Sequence, residues 1–182
     1  MGFSGSRKQS MEVPVRLIDL PAMHPELLWE TIATAAAAVL SAPGIEPPYA
    51  FALAVDGLRG FGTDDCRLLI DPGGVSASRV AQVRRTYEAS RLVELAAIAI
   101  AGLSLHAAGG HEIVDVAVRG SAADYLVDQD RHHLEIGGRS RRSDFEAVWR
   151  QKWQRLAELW RSGFYLCVAE FEGRTGRLVF AP

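Results

Sequence analysis

Apolar positions along this chain fall into short alternating runs and three helical stretches. Val13–Leu20 (VPVRLIDL) alternates as a short strand does, with Pro14 marking an edge or a strand start. His24-Pro25-Glu26 predicts a helix through about Leu40, because proline fits a first helical turn and glutamate favours its positive end. Tyr49–Val55 and Cys66–Ile70 predict two strands joined by a Gly- and Asp-rich hairpin loop. After the Asp71-Pro72-Gly73-Gly74 breaker, a helical pattern runs from Ser76 to about Leu105, long enough for two helices with a kink near Ser90. Glu112–Val118, Ala123–Val127 and His132–Ile136 predict three strands. Ser143 followed by Glu146 predicts a capped helix to about Arg161. Phe164–Phe171 and Arg177–Phe180 predict the last two strands.

This order predicts an α/β or α+β fold: a mixed central sheet with flanking helices. Residues 1–10 are expected as a flexible tail, 11–74 as a β-α-β-β lobe and 75–182 as the main core.

Composition narrows the class. The 182 residues are 48% hydrophobic and 23% charged, which suits a globular chain with a sizeable core. A formal net charge of −2 excludes a general basic coat, so any nucleic-acid surface has to be a local patch. Cys66 and Cys167 are too few for a disulfide framework or a zinc cluster. No membrane span and no secretion leader are expected, which makes the cytoplasm the default setting. Only Lys8 and Lys152 are lysines among 20 basic residues, so an interior lysine stands out.

Lys152 falls in the middle of the apolar stripe formed by Phe145, Trp149, Leu156 and Leu159 on its predicted helix. A buried ammonium is costly unless it meets a carboxylate or snorkels to water. On the preceding helix, Glu94 shares the face of Val80, Val83, Tyr87, Ile98 and Leu105, with Arg91 placed to pair with it. Asp124 and Glu135 lie on neighbouring predicted strands, where acids can converge on a hard divalent cation or simply meet nearby arginines.

With Asp124 on the second strand and Glu135 on the third, the order helix, three strands, helix, strand resembles the PD-(D/E)xK nuclease fold, also described as restriction-endonuclease-like. The resemblance spans roughly residues 88–173. It implies a Mg²⁺ site made by Asp124, Glu135 and the Ile136 carbonyl, supported by the helical acid Glu94. It also implies a lysine two positions after the glutamate, and here that position is Gly137. Some members move the lysine to the following helix, which makes Lys152 the candidate. The implied activity is Mg²⁺-dependent phosphodiester cleavage of DNA or RNA, in a nucleic-acid-processing or defence assembly.

Arg139, Arg141 and Arg142 beside a helix N-terminus are the candidate phosphate-binding residues. Gly137 favours the competing possibility, a catalytically silent nuclease-like domain that binds a partner. The Ala-rich Thr31–Val39 stretch permits close helix approach, as in a homodimer or a partner subunit.

Overall fold

The computed structural model describes residues 11–41, 44–58, 65–129, 131–160 and 163–182. The expected tail at 1–10 lies outside the described residues. The elements are β1 (Met11–Arg16), α1 (Leu20–Met23), α2 (Glu30–Leu40), β2 (Tyr49–Asp56), β3 (Cys66–Asp71), α3 (Ala77–Thr86) and α4 (Ala89–Gly109). They continue with β4 (Ile113–Val116), β5 (Tyr125–Val127), β6 (His132–Arg139), α5 (Phe145–Leu159), β7 (Phe164–Glu170) and β8 (Thr175–Ala181).

The eight strands form one mixed sheet in the order β1-β3-β2-β8-β7-β6-β5-β4. Strands from both sides of the Asp71–Gly74 turn therefore belong to the same sheet. The pairs β1–β3, β2–β8 and β6–β7 are parallel, and the rest are antiparallel. β7 (FYLCVAE) is buried at every position, as befits a central strand covered on both faces. β2 alternates buried and outward residues, so over that half of the sheet only one face is packed.

Helices α2 and α4 pack against each other, and α4 covers β6 and β7, while α5 also packs on β6 and β7. The length and apolar composition of α4 would suit a membrane-crossing helix; here it is largely buried in the core. Small residues allow this. A Cβ at Gly102 would meet Trp29, Leu20 and the His24 ring at 3.0–3.2 Å.

Several expected boundaries shift. The first strand ends at Arg16 and passes into a single 3-10 turn, Leu17–Asp19. The helix expected from His24 begins only at Glu30, because His24 is fully buried and ends α1 instead. Its Nδ1 accepts the Ile113 N–H at 3.0 Å, and its carbonyl accepts the Trp29 indole N–H at 2.7 Å. The long helical stretch is two helices, α3 and α4, with the break at Tyr87–Glu88 rather than at Ser90. The capping box does not form: Asp144 is the N-cap of α5 without a side-chain cap bond, and the Ser143 hydroxyl donates to Asp144. Leu159, expected inside the stripe of α5, is 60% exposed because the helix ends there.

Burial lowers the His24 pKa to about 4. The folded state thus holds His24 neutral at pH values where the unfolded chain protonates it. That stability is complete above the ordinary histidine value near 6.5 and is lost as pH falls toward 4. Urea titrations at pH 7 and pH 4 are expected to differ by about 3 kcal/mol from this group. His24→Asn, which keeps an acceptor for Ile113, is expected to remove that part of the pH dependence.

Candidate active site

The site is made where the sheet comes unzipped. β5 pairs with β6 only as far as Tyr125 opposite Leu134, and the Asp124 N–H donates to the Leu134 carbonyl at 2.9 Å. Beyond that point β6 continues to Arg139 with β7 alone beside it. A cleft of about 520 Å³ opens at this notch, lined by Arg91, Glu94 and Ile98 of α4, Val116, Asp124, Tyr125, Ile136–Arg139 and Lys152.

Strand alternation sorts β6 between the two helices. Glu135 and Gly137 face α5. A Cβ at Gly137 would lie 3.1 and 3.3 Å from Cε and Cδ of Lys152, so the lysine stem crosses the space a side chain would fill. Gly138 faces α4, where a Cβ would stand 2.6 Å from the Val93 carbonyl oxygen. These consecutive glycines bring a helix close to each side of one strand.

Glu135 is 4% exposed and forms an ion pair with Lys152. Burial pushes its carboxyl above the usual range, the hydrogen bond and charge of Lys152 pull it back, and the Asp124 charge pushes it up again. Lys152 is neither snorkelling freely nor bound to a distant acid; it closes over Glu135 and lines the cleft.

The exposed Asp124 carboxylate, just ahead of β5, accepts the Ile136 N–H at 2.8 Å. Within a strand the N–H and C=O of one residue point to the same side, so the Ile136 carbonyl also faces the side that β5 has left. Asp124, Ile136 and Lys152 thus line one notch, while Glu135, buried and paired with Lys152, is not among the residues that line it.

Glu94 lines the cleft, and its carboxylate pairs with Arg91 at 2.8 Å. Both side chains are 57% exposed, so the pair is worth under about 1 kcal/mol and is easily redirected. Arg139 lines the cleft and donates to the Gly138 carbonyl at 2.6 Å. Arg141 and Arg142 are exposed ahead of α5 and are not among the lining residues; the Arg142 N–H donates to Glu172 instead. Among the described residues, no group of three or more His, Cys, Asp or Glu side chains gathers in metal-binding geometry.

Arg91, Tyr125 and Gly138 are cleft residues that the sequence did not single out for this role. The signals available were the adjacency of Tyr125 to Asp124 and the spacing of Arg91 three residues before Glu94. His133 stacks on Trp160 with ring centroids 3.8 Å apart and does not line the cleft.

Comparison of the chain with family models, curated proteins and solved structures finds no match.

A carboxyl raised in the folded state binds its proton more tightly there, so raising the pH through and above the usual carboxyl range works against folding. Lys152→Met removes the counter-charge. It is expected to cost about 3–5 kcal/mol at pH 8, where Glu135 is an unpaired buried anion. The loss should be smaller at pH 5, where Glu135 more readily takes a proton. Urea unfolding at the two pH values measures this, and equal losses would reduce Lys152 to a packing role.

Proposed function

We propose that this chain is a Mg²⁺-dependent phosphodiesterase of nuclease type, with a PD-(D/E)xK-like core whose lysine comes from the following helix. The observation that carries the proposal is the Lys152 stem lying over Gly137 with its ammonium on Glu135. Gly137 is the position where the resembled family places its lysine. The contiguous order α4-β4-β5-β6-α5-β7 supports the same proposal.

The donor set suits a hard cation. Mg²⁺ needs only one or two carboxylates with water and phosphate, all oxygen ligands. Asp124, Glu135 and the Ile136 carbonyl would hold it, with Glu94 at the cleft wall as an additional acid. Bound there, Mg²⁺ supplies Lewis-acid polarisation of a phosphodiester and a lowered pKa for the attacking water. The chain's own groups do the rest. The Lys152 ammonium donates hydrogen bonds to a water or a phosphate oxygen and stabilises negative charge as it develops. Arg139 and Arg91 attract and orient the phosphate backbone. Ile136 N–H holds the Asp124 carboxylate in place.

One observation favours a second possibility, a catalytically silent domain of the same architecture that serves as a binding subunit. Lys152 already neutralises Glu135, one of two acids, and no third carboxylate joins them among the described residues.

Cleavage of supercoiled plasmid, single-stranded DNA and single-stranded RNA, with and without Mg²⁺, separates the two. Asp124 is exposed, so Asp124→Asn is expected to fold normally and to lose about 100-fold or more in rate, the equivalent of several kcal/mol of metal-dependent stabilisation. Lys152→Met is expected to be inactive, and Gly137→Lys combined with Lys152→Met to regain cleavage by returning an ammonium to the same place. Cleavage that withstands both Mg²⁺ removal and Asp124→Asn would sink the proposal; absence of cleavage on all three substrates would leave the silent domain.

A further inference from the structure

A second concavity of about 500 Å³ lies on the other side of α5, at the step between that helix and the bare half of the sheet. Its walls are Trp149 and Trp153 of α5, Arg177 and Val179 of β8, and Ala54–Asp56 with Asp65 around the β2–β3 connection. It shares no lining residue with the cleft at Lys152. Its volume falls within the range of about 300–1,000 Å³ typical of ligand sites.

The two indoles are nearly parallel, with an interplanar angle of 10° and centroids 6.3 Å apart. Trp149 is already capped. The Arg177 guanidinium lies 4.7 Å from its ring centroid, and the same side chain donates to Glu146 at 3.1 Å. This is one complete unit of indole, guanidinium and carboxylate. Trp153 is half-buried, and no cation covers its ring among the described residues. Asp56 and Asp65 are exposed on the same groove, and neither has an ion-pair partner among the described residues. Among the described residues, the second unit therefore has its ring and its acids and no cation.

We propose that this groove is a docking site for a peptide segment that presents an arginine, whose guanidinium stacks on Trp153 and pairs with Asp56 and Asp65. Charge complementarity selects the partner. Two carboxylates with no ion-pair partner among the described residues repel the phosphates of a nucleic acid and attract a cation, and indole faces bind cations favourably. Arginine suits the site better than lysine, because a planar guanidinium stacks on an indole and forks onto carboxylate oxygens at once. The exposed Ala50 and Ala52 of β2 continue the floor of the groove, leaving room for the backbone of an extended segment. The proposal stands independently of any chemistry at Lys152.

Titration of the full chain with an acetylated tetra-arginine peptide, followed by tryptophan fluorescence and calorimetry, tests it. Saturable binding is expected, with tetra-lysine at least severalfold weaker. Asp56→Asn with Asp65→Asn should weaken binding tenfold or more, each single change should produce part of that loss, and Trp153→Phe should weaken binding as well. Glu158→Gln, an exposed acid elsewhere on α5, should leave the affinity unchanged. Thermal melts of the Asp and Trp variants confirm their folding, and the exposed single Asp changes serve if the double variant melts early. Absence of saturable binding, equal affinity in the Asp variants, equal affinity for tetra-lysine, or binding of a thymidine tetranucleotide that Trp153→Phe abolishes would overturn it.

Discussion

A carboxylate with almost no exposure sits in the middle of this molecule, and the ammonium over it makes that tolerable. An unpaired buried anion is among the most destabilising features a fold can carry. Glu135 is placed there by the alternation of β6, so its counter-charge has to arrive from the helix on that face. Lys152 reaches it because Gly137 offers no side chain to block the route. Gly138 does the equivalent on the opposite face, where the backbone of α4 comes too close for any Cβ. The stretch of β6 from Glu135 to Gly138 is thereby enclosed from both faces and open only where β5 has departed.

The same helix separates two surfaces of opposite character. One side of α5 carries Lys152 into a cleft that also presents Arg91 and Arg139, while the other carries Trp149 and Trp153 into a groove with Asp56 and Asp65. A 15-residue helix rich in charge could not be read as two sites from its period alone, because both faces contain aromatic or apolar residues. Which face meets which strand depends on the β6–α5–β7 crossover laying α5 across β6 and β7.

Local pattern was enough to locate most elements. Alternation marked β2 and β3 to within a residue or so, β7 read as a continuous apolar run, and Ser143–Glu146 marked the start of α5 even though the capping bonds expected there do not form. It failed at His24, where a proline and a glutamate suggested a helix start. The ring is instead buried against β4, a partner 89 residues further along the chain. A contact of that range leaves no periodic trace.

For the site, residue types and spacing singled out Asp124, Glu135, Lys152 and Glu94 as groups worth explaining, because charges on apolar faces and a rare interior lysine are costly without partners. They also indicated the Arg91–Glu94 pair, since residues three apart on a helix are neighbours by geometry alone. Only tertiary structure decided the rest: that the ammonium rests on Glu135, that Arg139 enters the cleft while Arg141 and Arg142 do not, and that strands on both sides of the Asp71–Gly74 turn share one sheet. The physical reason is range. Helical and strand periods are local properties of the backbone, whereas the point at which β5 leaves β6, and hence the position of the cleft, follows from how distant strands and helices pack around one core.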